Sequence, residues 1–201
     1  MKKGLLIALI IIAVIIIFII AVFGWGARKY NYFVGLNEGV NQSWSQVENV
    51  YQRRADLVPN LVATVKGVAN FEKETYTAVT EARAKVGQVK ISGDQLNDPK
   101  AFQKFQQAQD GLGSALSRLL VVAENYPQLK ANENFLQLQA QLEGTENRIT
   151  VERQKFTQVV QVYNTAIKRV PGMIIANFSG FKEKQYFKAT EGAETAPKVQ
   201  F

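Results

Sequence analysis

The sequence predicts an all-α protein: an N-terminal transmembrane helix, then a long antiparallel helical bundle of three long helices with a short C-terminal helix or strap. Three observations predict it. Leu5 through Phe23 carries no charged or polar side chain. From Phe33 onward, apolar residues recur at alternating steps of three and four, the spacing of one helix face. No stretch shows the period-two alternation of a half-buried strand.

The apolar run is long enough to span a bilayer, since about 20 such residues cross the hydrocarbon at ~1.5 Å each. It exceeds the ~7–15 residues of a cleaved signal's apolar core, so it reads as an uncleaved anchor with the lipid bilayer as its first partner. Leu5, Ile12, Ile17 and Phe23 mark the span, and Trp25, Arg28, Lys29 and Tyr30 form the interfacial belt that follows it. No second apolar run follows, so the chain is single-pass. Lys2 and Lys3 before the span nearly balance Arg28 and Lys29 after it; the expected orientation keeps the N-terminus inside and the bundle outside. The divisions are 1–29 for the anchor, 30–187 for the bundle and 188–201 for an extended tail.

The first bundle helix follows the seam Phe33, Leu36, Val40, Trp44, Val47, Tyr51, Val58, Leu61, Val65, Val68, Phe71, Val79, Ala82 and Val86. It reads as one rod of about 80 Å at ~1.5 Å per residue, kinked at Pro59, which lacks an amide proton. Arg54 interrupts the seam. Residues 87–98 lose the periodicity and form a loop. Asp98-Pro99 then caps and opens the second helix, which runs through Phe102, Phe105, Leu112, Leu116, Leu119 and Val122 to Tyr126-Pro127. The third runs from about Ala131 to Val170, with Phe135, Leu138, Leu142, Ile149, Phe156, Val160, Tyr163 and Ile167 inward, and Pro171-Gly172 stops it. Residues 173–187 form a short helix or strap, and the end carries Val199 and Phe201 as anchors for docking.

The chain is +7, but Lys2, Lys3, Arg28 and Lys29 account for four charges, leaving 20 basic against 17 acidic residues on the rest. A nucleic-acid binder needs a basic stripe on its folded part, so nucleic acid is not an expected partner. The sequence has no Cys and no His. Disulfides, thiolate chemistry, Ser-His-Asp and Cys-His arrangements, zincins and zinc fingers are therefore excluded, and Glu143-x-x-Glu146 lacks the His of di-iron bundles. No Gly-rich phosphate loop precedes a helix. The expected metal and cofactor sets are empty and no catalytic residue is assigned. The carboxylate pairs Glu72/Glu74 and Glu143/Glu146 read as solvated helix faces.

Two dense motifs remain. Gln52 through Val62 (QRRADLVPNLV), running on to Val65-Lys66-Gly67, and Glu124 through Leu136 (ENYPQLKANENFL) resemble the signature of the LemA family. So do Leu142–Ile149 (LEGTENRI), Tyr163-Asn164 and the terminal Ala196–Phe201 (APKVQF). Val68-Ala69-Asn70-Phe71 stands where relatives often have a Tyr and a His, and Phe178-Ser179-Gly180-Phe181 varies the usual Phe-Gly-Phe stretch. The resemblance implies a bacterial protein of the cell (inner) membrane with a long helical bundle and no established enzymatic activity. It also implies association with envelope stress, with HtpX-type membrane metalloproteases and with TPM-domain proteins. A magnetosome relative takes part in membrane remodelling.

The functional expectation is a membrane-tethered scaffold or adaptor for other envelope proteins; the alternatives are a self-assembling membrane organiser and, more remotely, a carboxylate-based hydrolase. Two placements follow from helix lengths. A second helix folding back along the first brings the turn at Tyr126 and Pro127 beside Arg53, Arg54, Asp56 and Pro59, with Glu124 as the partner of Arg54. The same lengths leave residues 31–57 under-covered, so Phe33, Leu36, Val40, Trp44 and Val47 form an exposed stripe for neighbouring copies or the returning tail, with neighbours favoured and a homo-oligomer expected. Any pockets are expected to be shallow.

Overall fold

The computed structural model describes residues 2–68 and 71–188, with the side chains of Lys2 and Lys3 left aside. The predicted extended tail, with Val199 and Phe201, falls outside the described residues apart from Lys188. Every regular element among those described is helical: α1 (Lys2–Lys66), α2 (Lys73–Gln88), α3 (Pro99–Ala123), α4 (Pro127–Lys130), α5 (Glu133–Lys168) and α6 (Gly172–Phe178), with a 3-10 turn at Gly93–Asn97.

Anchor and first bundle helix are one element. α1 runs 65 residues without interruption, so nothing separates the apolar span from the bundle. Residues 4–23 are exposed all round, and burial against the rest of the fold begins at Gly24. An apolar surface of that size has no cover among the described residues, and a bilayer supplies it. This is a membrane protein.

Pro59 lies inside α1 and does not end it. The rod to Val86 is the expectation that fails. The chain turns after Lys66, and α2 folds back beside α1, with Arg83 reaching Ala55. A hairpin preserves the apolar spacing because both arms face the same core: Val65, Phe71 and Val79 are all buried. Periodicity reports the face of a helix and is blind to its direction.

That hairpin resets every later register. It returns the 89–98 loop to the middle of α1, where the Trp44 indole N–H donates to the Ile91 carbonyl (3.2 Å). α3 opens there on its expected cap, the Asp98 carboxylate accepting from the amides of Lys100 (2.8 Å) and Ala101 (3.3 Å). It rises parallel to α1, so Phe102 and Phe105 meet Trp44, and Phe105 also meets Tyr51. The turn through α4 lies at the distal tip, with Tyr126 on Phe71 (ring centroids 4.9 Å). α5, capped by Asn132, descends the length of the bundle against α1. The short helix and the strap both exist: α6 ends at Phe178, Gly180 takes a positive φ of 76° that a side chain would resist, and 181–188 climb back along the bundle without regular structure.

Two cores result. The distal one joins Val58, Leu61, Val65, Leu112, Leu119 and Phe135; the membrane-proximal one joins Phe33, Val40, Trp44, Phe102, Phe156 and Tyr163. The expected exposed stripe is therefore corrected. Phe33, Val40, Trp44 and Val47 are buried to 2% exposure or less, and Leu36 is half-buried against the same core. α5, the start of α3 and the strap cover them within one chain, so they present no face to a neighbouring copy.

Candidate functional site

At mid-height of α1, Arg54 occupies a seam position that an apolar residue would fill by periodicity, and it is buried. Its Nη1 donates to both oxygens of Glu146 on α5, at 3.0 and 3.3 Å. Its Nη2 donates to the backbone carbonyl of Gln109 on α3 (2.8 Å) and to that residue's side-chain Oε1 (2.7 Å). The guanidinium also lies over the Tyr51 ring, 5.1 Å from its centroid. Gly113 gives the fork room, since a Cβ there would stand 3.4 Å from Nη1. One planar donor set thus joins three helices at the boundary between the two cores.

The predicted cluster around Arg54 is only partly assembled. Arg53 and Asp56 are on the exposed face of α1, and the Asp56 carboxylate accepts from the Gln52 amide (2.7 Å). Glu124 is exposed and does not meet Arg54, and Tyr126 and Pro127 belong to the tip with Phe71. The hairpin of α1 and α2 moves that turn away from the level of Arg54. The partner is Glu146, a member of the LEGTEN stretch, so Arg54 itself meets that motif, while Val58, Leu61 and Val65 share the distal core with Leu129 and Phe135 of the motif expected there.

Pro59 has its own arrangement. A proline has no N–H for the carbonyl four residues earlier, which here is that of Ala55. The Arg83 Nε on α2 donates to that carbonyl at 2.9 Å. The side chain of one hairpin arm thus replaces the hydrogen bond that the proline removes from the other.

Lower down, the strap is held like a bound peptide. Asn164 on α5 pairs with both backbone groups of Lys184 (2.9 Å each). The Tyr163 hydroxyl donates to the Lys182 carbonyl (3.0 Å), and the Gln185 amide donates to the Leu96 carbonyl (2.8 Å). Lys184 is buried, and its ammonium donates to the Gly93 carbonyl (3.1 Å). Burial lowers its pKa, while Asp94 and Glu38 pull the other way. Burial likewise pushes the Tyr163 phenol up to about 12. Phe187 completes the strap by entering the aromatic cluster of Trp44, Phe102 and Phe156. Only the apolar members of this groove are visible in the sequence; there the Tyr163-Asn164 pair is a motif without a role.

Grooves open to solvent lie between the helices. One of about 400 Å³ is lined by Glu48, Tyr51, Gln52, Arg83, Lys90 and Gln109, among others. Desolvation raises the Glu48 pKa there, against the lowering effects of Trp44 and Lys90. Another of about 430 Å³ has two carboxylates, Glu143 and Glu146. Both are engaged, Glu146 by Arg54 and Glu143 by the Gln139 amide (3.1 Å). Among the described residues, no group of three or more acidic side chains is placed to hold a metal ion.

Comparison with known proteins decides the kinship. The model of the LemA family matches residues 43–201. The chain belongs to the LemA family. The match begins inside α1, beyond the anchor, so the bundle carries the LemA likeness, and all of Arg54, Gln109, Glu146 and Asn164 fall within it. Among curated relatives, the magnetosome protein MamQ of Magnetospirillum gryphiswaldense is 28% identical over 183 residues, covering 83% of this chain and 67% of its own length. MamQ 2 of Paramagnetospirillum magneticum is 27% identical over the same shares. Protein LemA of Metamycoplasma hominis is 24% identical over 145 residues, covering 72% of this chain and 62% of its own. None of these names states a catalytic activity.

Proposed function

We propose that this LemA-family protein is a membrane-tethered scaffold that holds a helical bundle at a fixed height above the bilayer and recruits other envelope proteins to its surface, without catalysis. The observation that carries the reading is the continuity of α1 from the apolar span to the distal tip. From Gly24 to Lys66 the helix rises about 60 Å at ~1.5 Å per residue. A stiff rod of that length, braced at Arg54 and at the strap, suits presentation of a surface. It serves poorly for enclosing a substrate, and the two carboxylates that share a groove, Glu143 and Glu146, are engaged in structural bonds. The bundle belongs on the outer side of the cell membrane in this reading, and its partners are other envelope proteins, membrane metalloproteases of the HtpX type and TPM-domain proteins among them.

The alternative of a self-assembling membrane organiser draws support from the relatives named as magnetosome proteins. Extraction of the full chain in mild detergent separates the two. A distinct protein retained in stoichiometric amount supports the scaffold. A large particle made of this chain alone supports the organiser, and a monomer with no partner contradicts both.

A further inference from the structure

The lowest part of the bundle carries an apolar face that no other described part of the chain covers. α6 has no charged residue, and it lies against the start of the bundle section of α1. Gly172 sits on the Phe33 ring, and the Ile175 Cδ1 approaches Gly26, 3.6 Å from where a Cβ would be. Ile175 and Ala176 thus face inward. The outward residues are Phe178, 96% exposed, Val170, 77%, Ile174, 64%, and Met173, 40%.

The height of this face decides its occupant. Gly26 is three residues beyond Phe23, the end of the apolar span, which is about 5 Å of helix rise. The headgroup layer is roughly 5–8 Å deep on each side of the hydrocarbon. The Ile175 end of α6 is therefore level with Trp25, Arg28 and Lys29, the residues that themselves mark the bilayer surface, while its start at Gly172 stands higher, against Phe33. Arg169 stands at the start of the same turn and is exposed, as Arg28 is. Apolar side chains beside basic ones are the composition of an element lying in a membrane interface.

We propose that α6 is a second membrane contact: Ile174 and Phe178, on the part of the helix nearest the span, insert into the interfacial layer of the same bilayer that α1 spans. The bundle then rests on the membrane at two points, which fixes its tilt and its rotation about α1. The proposal relies on the transmembrane reading of α1 and is independent of the scaffold role.

The sequence contains no cysteine, so single labelling sites are clean. Ile174→Cys and Phe178→Cys, each carrying an environment-sensitive fluorophore, are compared in full-length protein reconstituted into vesicles of phosphatidylcholine and phosphatidylglycerol. Leu136→Cys, exposed near the distal tip, serves as the aqueous reference, and Ile12→Cys as the reference within the span. The expected result is several-fold weaker iodide quenching at 174 and 178 than at 136, together with quenching by lipids spin-labelled near the headgroup. Iodide quenching equal to that at 136 overturns the proposal. Protection from iodide without quenching by lipid also overturns it, because polypeptide then covers the face. If the label at 12 escapes quenching by lipids spin-labelled deep in the acyl chain, the transmembrane reading fails instead. All four substitutions are at exposed positions, and retained helicity is checked by circular dichroism.

Discussion

A buried arginine is costly to desolvate, and Arg54 is sustained by the bonds it makes. It uses both terminal nitrogens on α3 and α5, while its Nε has no partner among the described residues. Lysine offers a single point charge and cannot hold Gln109 and Glu146 together. Arg54→Lys is expected to destabilise the bundle by about 1–3 kcal/mol, the range for unsatisfied buried groups. Glu146→Gln should cost less, ~1 kcal/mol or below, because that side chain is 42% exposed and its charge is screened. Urea unfolding followed by circular dichroism measures both, and a larger loss in Glu146→Gln would contradict this assignment of the clamp. At the strap, the neutral Tyr163 phenol donates a hydrogen bond that the phenolate cannot. The folded state holds this proton up to about pH 12, against an ordinary value of 10.0. Its contribution is complete below pH ~10 and is lost as pH rises towards 12. Lys184 works in the opposite sense: its lowered pKa makes stability rise with pH as the ammonium loses its proton. Tyr163→Phe should therefore flatten the loss of stability between pH ~10 and ~12, which thermal melts across that window would reveal.

Among the elements, the hairpin of α1 and α2 concentrates what the sequence did and did not disclose. The helices, their inward faces and the caps at Asp98 and Pro99 follow from local chemistry and were legible. The turn after Lys66 was not, because the apolar seam continues through it with unchanged spacing. The Arg54 contacts were equally hidden: that an arginine interrupts the seam is visible, but its partner depends on the register of α5, which the hairpin sets. The Arg83–Ala55 bond belongs to this scale too. An interior proline costs a helix roughly 3 kcal/mol, and Arg83 recovers part of that by satisfying the freed carbonyl. Pro59→Ala is expected to stabilise the bundle by about 1–3 kcal/mol. Arg83→Ala should cost ~1 kcal/mol in the native background and close to nothing beside Pro59→Ala, where the carbonyl has its helical partner again. A double-mutant cycle reads this coupling directly, and additive effects would show that Arg83 has no such role.

For the molecule as a whole, the lowered register turns an expected interface into a core. Trp44 is surrounded by Phe102, Phe105, Phe156 and Phe187, so its removal acts on folding before assembly. Trp44→Ala should cost ~3–5 kcal/mol, within the range for large aromatic residues in cores. Charged substitution of Trp44 with Val47 should abolish the cooperative unfolding transition, where an interface role would leave it in place. The uninterrupted α1 makes the anchor and the bundle one rigid body. That rigidity is tested most directly by spin labels at Ala21→Cys in the span and Gln42→Cys in the bundle, both exposed positions on α1 on either side of the membrane surface. In a reconstituted bilayer, dipolar spectroscopy should give a single narrow distance distribution centred near ~32 Å, the rise of a continuous helix between them. A broad or bimodal distribution reaching to shorter distances would place a hinge at Gly24–Gly26 and contradict the account.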